Sequence, residues 1–230
     1  MVKHLIAIAL VAVFGAVFVT LMLGYTPDSE LNLTARYYAE RTAADLGAAN
    51  IVTAIIVTYR GLDTLGEVTV LFLAAAIVGL VLANSRPDQP RLRAPVGELL
   101  TTGTRFLVPM ILLLGVYVFV NGHLTPGGGF QGGAIIASGV LLMLLANPLR
   151  HFSHRLIAAI ESLAGLFYIA IGLAGLFLAG GFLDNRILPL GNVGDLLSAG
   201  AIPLIYSLIG LKVGAEFSSM LASLAETEEL

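Results

Sequence analysis

The chain has 230 residues, of which 57% are apolar and 12% charged, with a net charge of −3 and a mean hydropathy of +0.93. A soluble domain carries about 25% charged residues, so these proportions exclude a soluble globular enzyme, a disordered chain and a nucleic-acid binder. A polytopic membrane protein remains. The absence of cysteine excludes disulfides, thiolate metal sites, iron–sulfur ligation and cysteine nucleophiles together.

A helix needs about 20 largely apolar residues to cross a bilayer. Residues 5–24 supply twenty without a charge. This run is read as a retained span rather than a signal peptide, because its uncharged core is long and no small-residue cleavage site follows. Further runs are 68–85, 106–122, 130–149, 162–183 and 196 to about 221, the last interrupted by Lys212 and Glu216. The fourteen uncharged residues 46–59 are too short to cross and too apolar for an ordinary loop. They predict a short partial helix, with Arg60-Gly61-Leu62-Asp63 as the turn into the second span. Non-helical backbone at that depth requires surrounding protein or a water-filled cavity. The expected fold is all-α, with about six transmembrane helices plus this short partial helix.

Six spans place both termini on one side. That side holds Lys3, Arg86, Arg91, Arg93, Arg105, Arg150 and Arg155, seven cations against the four of Arg36, Arg41, Arg60 and Arg186 opposite. The bias predicts cytoplasmic termini. Residues 85–95 hold three prolines and three arginines, the composition of an extended connector. The organisation read from this is a two-span module over 1–85, a cytoplasmic linker over 86–98 and a four-span module over 99–230. The acidic end, 225–230, is expected to fray.

Six glycines lie between Gly122 and Gly133. Gly127, Gly129 and Gly132 satisfy a dinucleotide fingerprint in letters only, since that motif needs a preceding strand and here membrane spans flank it. A tight turn between spans is one reading. The other is a polar re-entrant turn that brings His123 beside a proton path, since an unperturbed histidine titrates near neutral pH and can relay protons. His151 and His154 lack nearby ligands and read as solvated surface. The sequon at Asn32-Leu33-Thr34 carries little weight.

Ionisable groups within spans are the informative ones. A charge at mid-membrane costs about 2.5–3.5 kcal/mol on insertion scales, so such groups face the bundle interior or a partner and mark ion paths. Lys212 lies near the midpoint of the last span and Glu216 one turn further on the same face. Glu161 precedes the run 162–183 within the same helix, about two turns in, and Glu67 lies where the second span begins. Lys212 and Glu216 could simply neutralise each other. Gly210 and Gly214 already suit close helix contact, however, and two added charges favour function. No zincin pair, serine elbow or cofactor-ligating histidine pair is present, so no catalytic residue, metal site or cofactor is assigned.

The stretch Asn50–Glu67, with its core Arg60-Gly61-Leu62-Asp63-Thr64-Leu65-Gly66-Glu67, resembles the end of the large A-type component of Mrp-type Na+/H+ antiporters. The same segment occurs as the separate E-type component of archaeal membrane-bound hydrogenases. From about residue 99 the chain resembles the B-type (MnhB-like) component of those antiporters. The matching pieces are Gly122–Gly133, Leu197-Ser198-Ala199-Gly200-Ala201-Ile202-Pro203 and Gly210-Leu211-Lys212-Val213-Gly214. The resemblance implies a non-redox, multi-pass subunit of a sodium/proton antiport assembly in a prokaryotic cell (inner) membrane. It implies antiporter-like A and D subunits and small C, E, F and G subunits as partners, and Na+ and H+ as the ions. It places Glu67 on the polar path, with Lys212 and His123 as further path residues. Asp63, Glu161 and Glu216 complete the candidate set. In ordinary antiporters the Glu67 segment belongs to the A-type component, whereas here it is joined to a B-like module. That departure leaves a redox-driven relative open, and a scaffold that moves no ions is the third reading.

Overall fold

The computed structural model describes residues 2–26, 30–83, 97–147 and 152–229, so most of the 86–98 linker, together with Arg150 and His151, lies outside the described residues. About 80% of the protein is helical, and no strand occurs among the described residues. The described residues form eight α-helices: α1 Val2–Gly24, α2 Leu33–Leu46, α3 Ile51–Ala54, α4 Gly61–Ala83, α5 Glu98–Val120, α6 Gly129–Ala146, α7 His154–Leu178 and α8 Ile202–Glu229. Six of them (α1 and α4 to α8) are long and apolar enough to cross a membrane.

The chain divides into two units, Met1–Tyr37 and Tyr38–Leu230. In the first, α1 is an uninterrupted apolar helix. The backbone N–H of Ala35 donates to Asn32 Oδ1 at 2.8 Å, starting α2. Asparagine is a favoured residue at this position because its side chain satisfies a helix-end donor. The polar residues 33–46 therefore form a helix that no apolar run in the sequence marks.

In the second unit α8 is the hub, packing against α4, α5, α6 and α7, while α5 also packs along α6. Its buried residues Ile205, Tyr206, Ile209 and Val213 run down the core with Val57, Val68, Tyr168 and Leu183. Small residues set the spacing. A Cβ on Gly133 of α6 would lie 2.8 Å from the Gly210 carbonyl and 2.9 Å from the Gly214 nitrogen, so these two helices meet backbone to backbone.

The short helix near 46–59 is present with different limits. Leu46 ends α2, a tight turn follows, and the axis bends by 83° into the segment Ile51–Tyr59. Asn50 caps α3, accepting from the Thr53 N–H at 3.3 Å. After one α turn the chain widens to a π turn over Ile55–Tyr59, closed by the Arg60 N–H donating to the Ile55 carbonyl at 2.7 Å. The Thr64 hydroxyl donates to the Ile56 carbonyl at 2.5 Å, capping an acceptor that the wider turn exposes. Only Arg60 leaves the helical path, because Gly61-Leu62-Asp63 already forms the first turn of α4. Glu67 accordingly stands two turns inside α4, not at its start.

Two span limits shift for local reasons. The fifth span ends at Leu178 rather than 183, where Gly180 and Gly181 follow and Leu183 adopts a left-handed φ of 60°. The last starts at Ile202 rather than 196. Ala199 and Gly200 sit at φ of 65° and 58°, and Pro203 takes a first-turn position where its missing N–H costs nothing. Lys212 is thus the eleventh residue of α8's 28.

Candidate functional site

Three of the six candidate residues come together. The Lys212 Nζ lies 2.7 Å from Glu216 Oε1, one turn along α8, and 3.9 Å from Glu161 Oε1 on α7. Glu216 is fully buried, Lys212 is 9% exposed, and the Glu161 side chain is 16% exposed. Glu216 Oε2 meets no hydrogen-bond donor among the described residues. The Nζ also stands 4.8 Å from the ring centre of Phe72 on α4, a cation–π distance. Beside the cluster a cleft of about 260 Å³ opens between α4 and α7, lined by Thr69, Phe72, Glu161, Ser162, Gly165 and Lys212 among others.

The remaining candidates stand elsewhere. Asp63 pairs with Arg60 at 2.5 Å, both side chains more than half exposed. Glu67 is exposed on α4 and makes no ion pair among the described residues. His123 is completely buried in the glycine-rich turn between α5 and α6, its Nε2 3.4 Å from the Asp195 carbonyl oxygen, while its Nδ1 makes no well-formed hydrogen bond among the described residues. Burial pushes its imidazole below the ordinary value, a shift that the backbone carbonyls around it oppose. The turn packs on Tyr206, since a Cβ on Gly122 would lie 2.7 Å from the Tyr206 ring. Six residues of α8, about 9 Å of rise, separate Tyr206 from Lys212. His123 therefore belongs to the end of the bundle, away from the charged cluster.

That end is knitted by residues which sequence reasoning passes over. The Asn50 Nδ2 donates to the Gly122 and Thr125 carbonyls at 2.9 Å each, and the Thr53 hydroxyl donates to Gly122 at 2.6 Å. Asn185 does the same between the Leu46 and Ala199 carbonyls, at 2.9 Å each. Arg186 is hydrogen-bonded to Asp184 and holds that carboxyl down at about 2. An asparagine just before an apolar run is a helix-start signal and could have marked Asn50. Phe72 carries no signal, being one more apolar residue in an apolar helix. At the opposite end His154 Nε2 lies 2.6 Å from Glu226 Oε1, tying the start of α7 to the end of α8. Among the described residues no group of three His, Cys, Asp or Glu side chains is disposed to hold a metal ion.

A family model described as a domain related to the MnhB subunit of the Na+/H+ antiporter matches residues 99–219, just over half of the chain. The chain belongs to that family. A second model, that of the MBH component MbhE, matches residues 3–98. An uncharacterised protein of Methanocaldococcus jannaschii is 36% identical, the match covering 74% of each chain. A chain in the structure of the membrane-bound sulfane sulfur reductase, an archaeal respiratory membrane complex, superimposes with a TM-score of 0.82 at 40% identity. That match covers 97% of this chain and 98% of the other. A chain of the Mrp complex from Dietzia sp. DQ12-45-1b superimposes with a TM-score of 0.77 at 30% identity, over 97% of this chain but 26% of that one. The chain spans about half the length or less of the curated antiporter subunits it matches. This MnhB-related chain is a multi-pass membrane protein of the Mrp antiporter family.

Proposed function

We propose that this chain is a non-redox subunit of a multi-subunit Mrp-type Na+/H+ antiport assembly in a prokaryotic cell membrane, contributing residues to the ion path. The observation that carries this reading is Lys212 held between Glu216 and Glu161 at membrane depth, beside an open cleft. Burying ion pairs is a poor way to gain stability, and Gly133, Gly210 and Gly214 already bring α6 and α8 into contact. The charges are better explained by something that moves along them. Glu67 and Asp63 belong to the same route on the face turned toward neighbouring subunits, and His123 to its outer end. The modules over 1–85 and 99–230, joined by the linker over 86–98, would dock against antiporter-like and small membrane subunits, with both termini in the cytoplasm.

The test is sodium-driven proton exchange by the assembled complex in vesicles. Lys212→Ala and Glu67→Gln should assemble yet lose exchange by tenfold or more. If both variants assemble and exchange normally, the chain is a scaffold. A second reading, with the module coupled to a redox-driven complex, is favoured by one finding. The neighbour matched along nearly its whole length lies in a respiratory complex, whereas the antiporter chain is matched over 26% of its length. Co-purification with iron–sulfur or nickel–iron proteins would establish that version.

A further inference from the structure

We propose that Glu161, Lys212 and Glu216 form a binding site for one exchangeable proton, loaded sideways through the cleft between α4 and α7. The inference rests on the reading of this cluster as part of an ion path. Two carboxyl groups face one ammonium group, so the fully ionised cluster carries one uncompensated negative charge at membrane depth. Among the described residues neither glutamate has an ion-pair partner other than Lys212. At this level α6 contributes Gly133 and Ile136, and α5 contributes Phe119. From α7 the titratable neighbours are Glu161 itself and Tyr168, and α4 presents Phe72 and Thr69, while its exposed Glu67 is coupled electrostatically to Tyr168 rather than to the cluster. Among the described residues neither oxygen of the buried Glu216 carboxylate accepts a well-formed hydrogen bond. A single proton added to either carboxyl makes the cluster neutral.

The two carboxyl groups are not equivalent. Glu216 is sealed, whereas Glu161 lines the cleft together with the Ser162 and Thr69 side chains. Lys212 is ion-paired with the inner carboxylate at 2.7 Å and lies 3.9 Å from the outer one, so a small swing transfers its ammonium between them. When it turns to Glu161, the proton resides on Glu216. When it turns back, the proton resides on Glu161 at the cleft mouth. The proton passes from one carboxyl to the other, and the lysine remains the counter-charge throughout.

Infrared spectroscopy of the purified complex tests the count, because a protonated carboxyl has its own carbonyl stretch that shifts in heavy water. The wild type should show one such band from this cluster. Glu161→Gln and Glu216→Gln should each remove it, since one carboxylate against one ammonium is already neutral, and Lys212→Met should double it. A band that survives in both glutamine variants, or no difference between wild type and either of them, overturns the site. Should the methionine variant fail to assemble, the two glutamine variants still decide. Dicyclohexylcarbodiimide, an apolar reagent for protonated carboxyl groups, tests the entrance. Mass spectrometry should find it on Glu161, more at low pH, and absence of label there overturns loading through the cleft. Both readouts are independent of transport: loss of the band with normal exchange sinks the path reading and leaves the proton site standing.

Discussion

Lys212 and Glu216, four residues apart on α8, meet at 2.7 Å with the carboxylate wholly buried and the ammonium group almost so. Removing the lysine leaves two acids with no compensating charge, and breaking a buried pair from one side costs about 3–5 kcal/mol. Lys212→Met is expected to lower the thermal midpoint of the detergent-purified complex markedly. Glu161→Gln should be milder, because that carboxyl borders the open cleft and lies 3.9 Å from the ammonium group. Thermal unfolding followed by intrinsic tyrosine fluorescence or by aggregation would rank the two.

The seam between α6 and α8 has no room for a methyl group. Gly133→Ala would set a carbon 2.8 Å from the Gly210 carbonyl, and overpacking of this kind costs about 1–3 kcal/mol. Gly79→Ala, with nothing within 4 Å of the new carbon, is the matched control and should be neutral or slightly stabilising. A difference of the opposite sign in thermal stability would refute the packing argument.

Asn50 joins helix capping to turn clamping through one side chain. Asn50→Ala removes the cap of α3, worth about 0.5–2 kcal/mol, and leaves the Gly122 and Thr125 carbonyls short of a donor. Asn50→Asp keeps an acceptor for Thr53 and loses the donor, so it should retain only part of the wild-type stability. Hydrogen exchange at residues 121–125 would report the loosening, fastest in the alanine variant.

Acid should loosen the loop end by two separate routes. Asp184 is held at about 2, below its ordinary 3.8, chiefly by the hydrogen bond from Arg186. Its stabilisation is complete above 3.8 and is lost as pH falls through about 2. His123 is depressed below 6.5 by burial, so the unfolded chain takes up its proton first. Stability is unaffected well above 6.5 and declines as pH drops below it. His123→Gln should flatten that first decline and leave the lower one; Asp184→Asn should do the reverse. Unfolding midpoints measured across mildly to strongly acidic buffers would separate them.

Much of this molecule is legible from charge and apolar runs alone. The six long helices stand out because lipid demands uninterrupted apolar length, and Lys212, Glu216 and Glu161 stand out because ionised groups are costly there. What α2 lacks is the apolar signal: no apolar run marks Leu33–Leu46, and its asparagine start reads first as a sequon. The π turn at Ile55–Tyr59 has no composition of its own, since the same residues would fit an α-helix, and only Thr64 reaching back to Ile56 shows why it is tolerated. His123 admits two readings in the sequence because the glycine pattern fixes a turn but not what the turn packs against. Tyr206 and Asn50, distant in sequence, decide that.

Glu67 has one last implication, for the life of the polypeptide before it meets its neighbours. It stands uncovered on the outside of α4, and a newly made copy must carry that bare acid into oil until another subunit shields it. Such a copy advertises that it is an orphan. Synthesis in excess of its companions should therefore end in proteolytic clearance, and Glu67→Leu should spare the unassembled polypeptide from that fate.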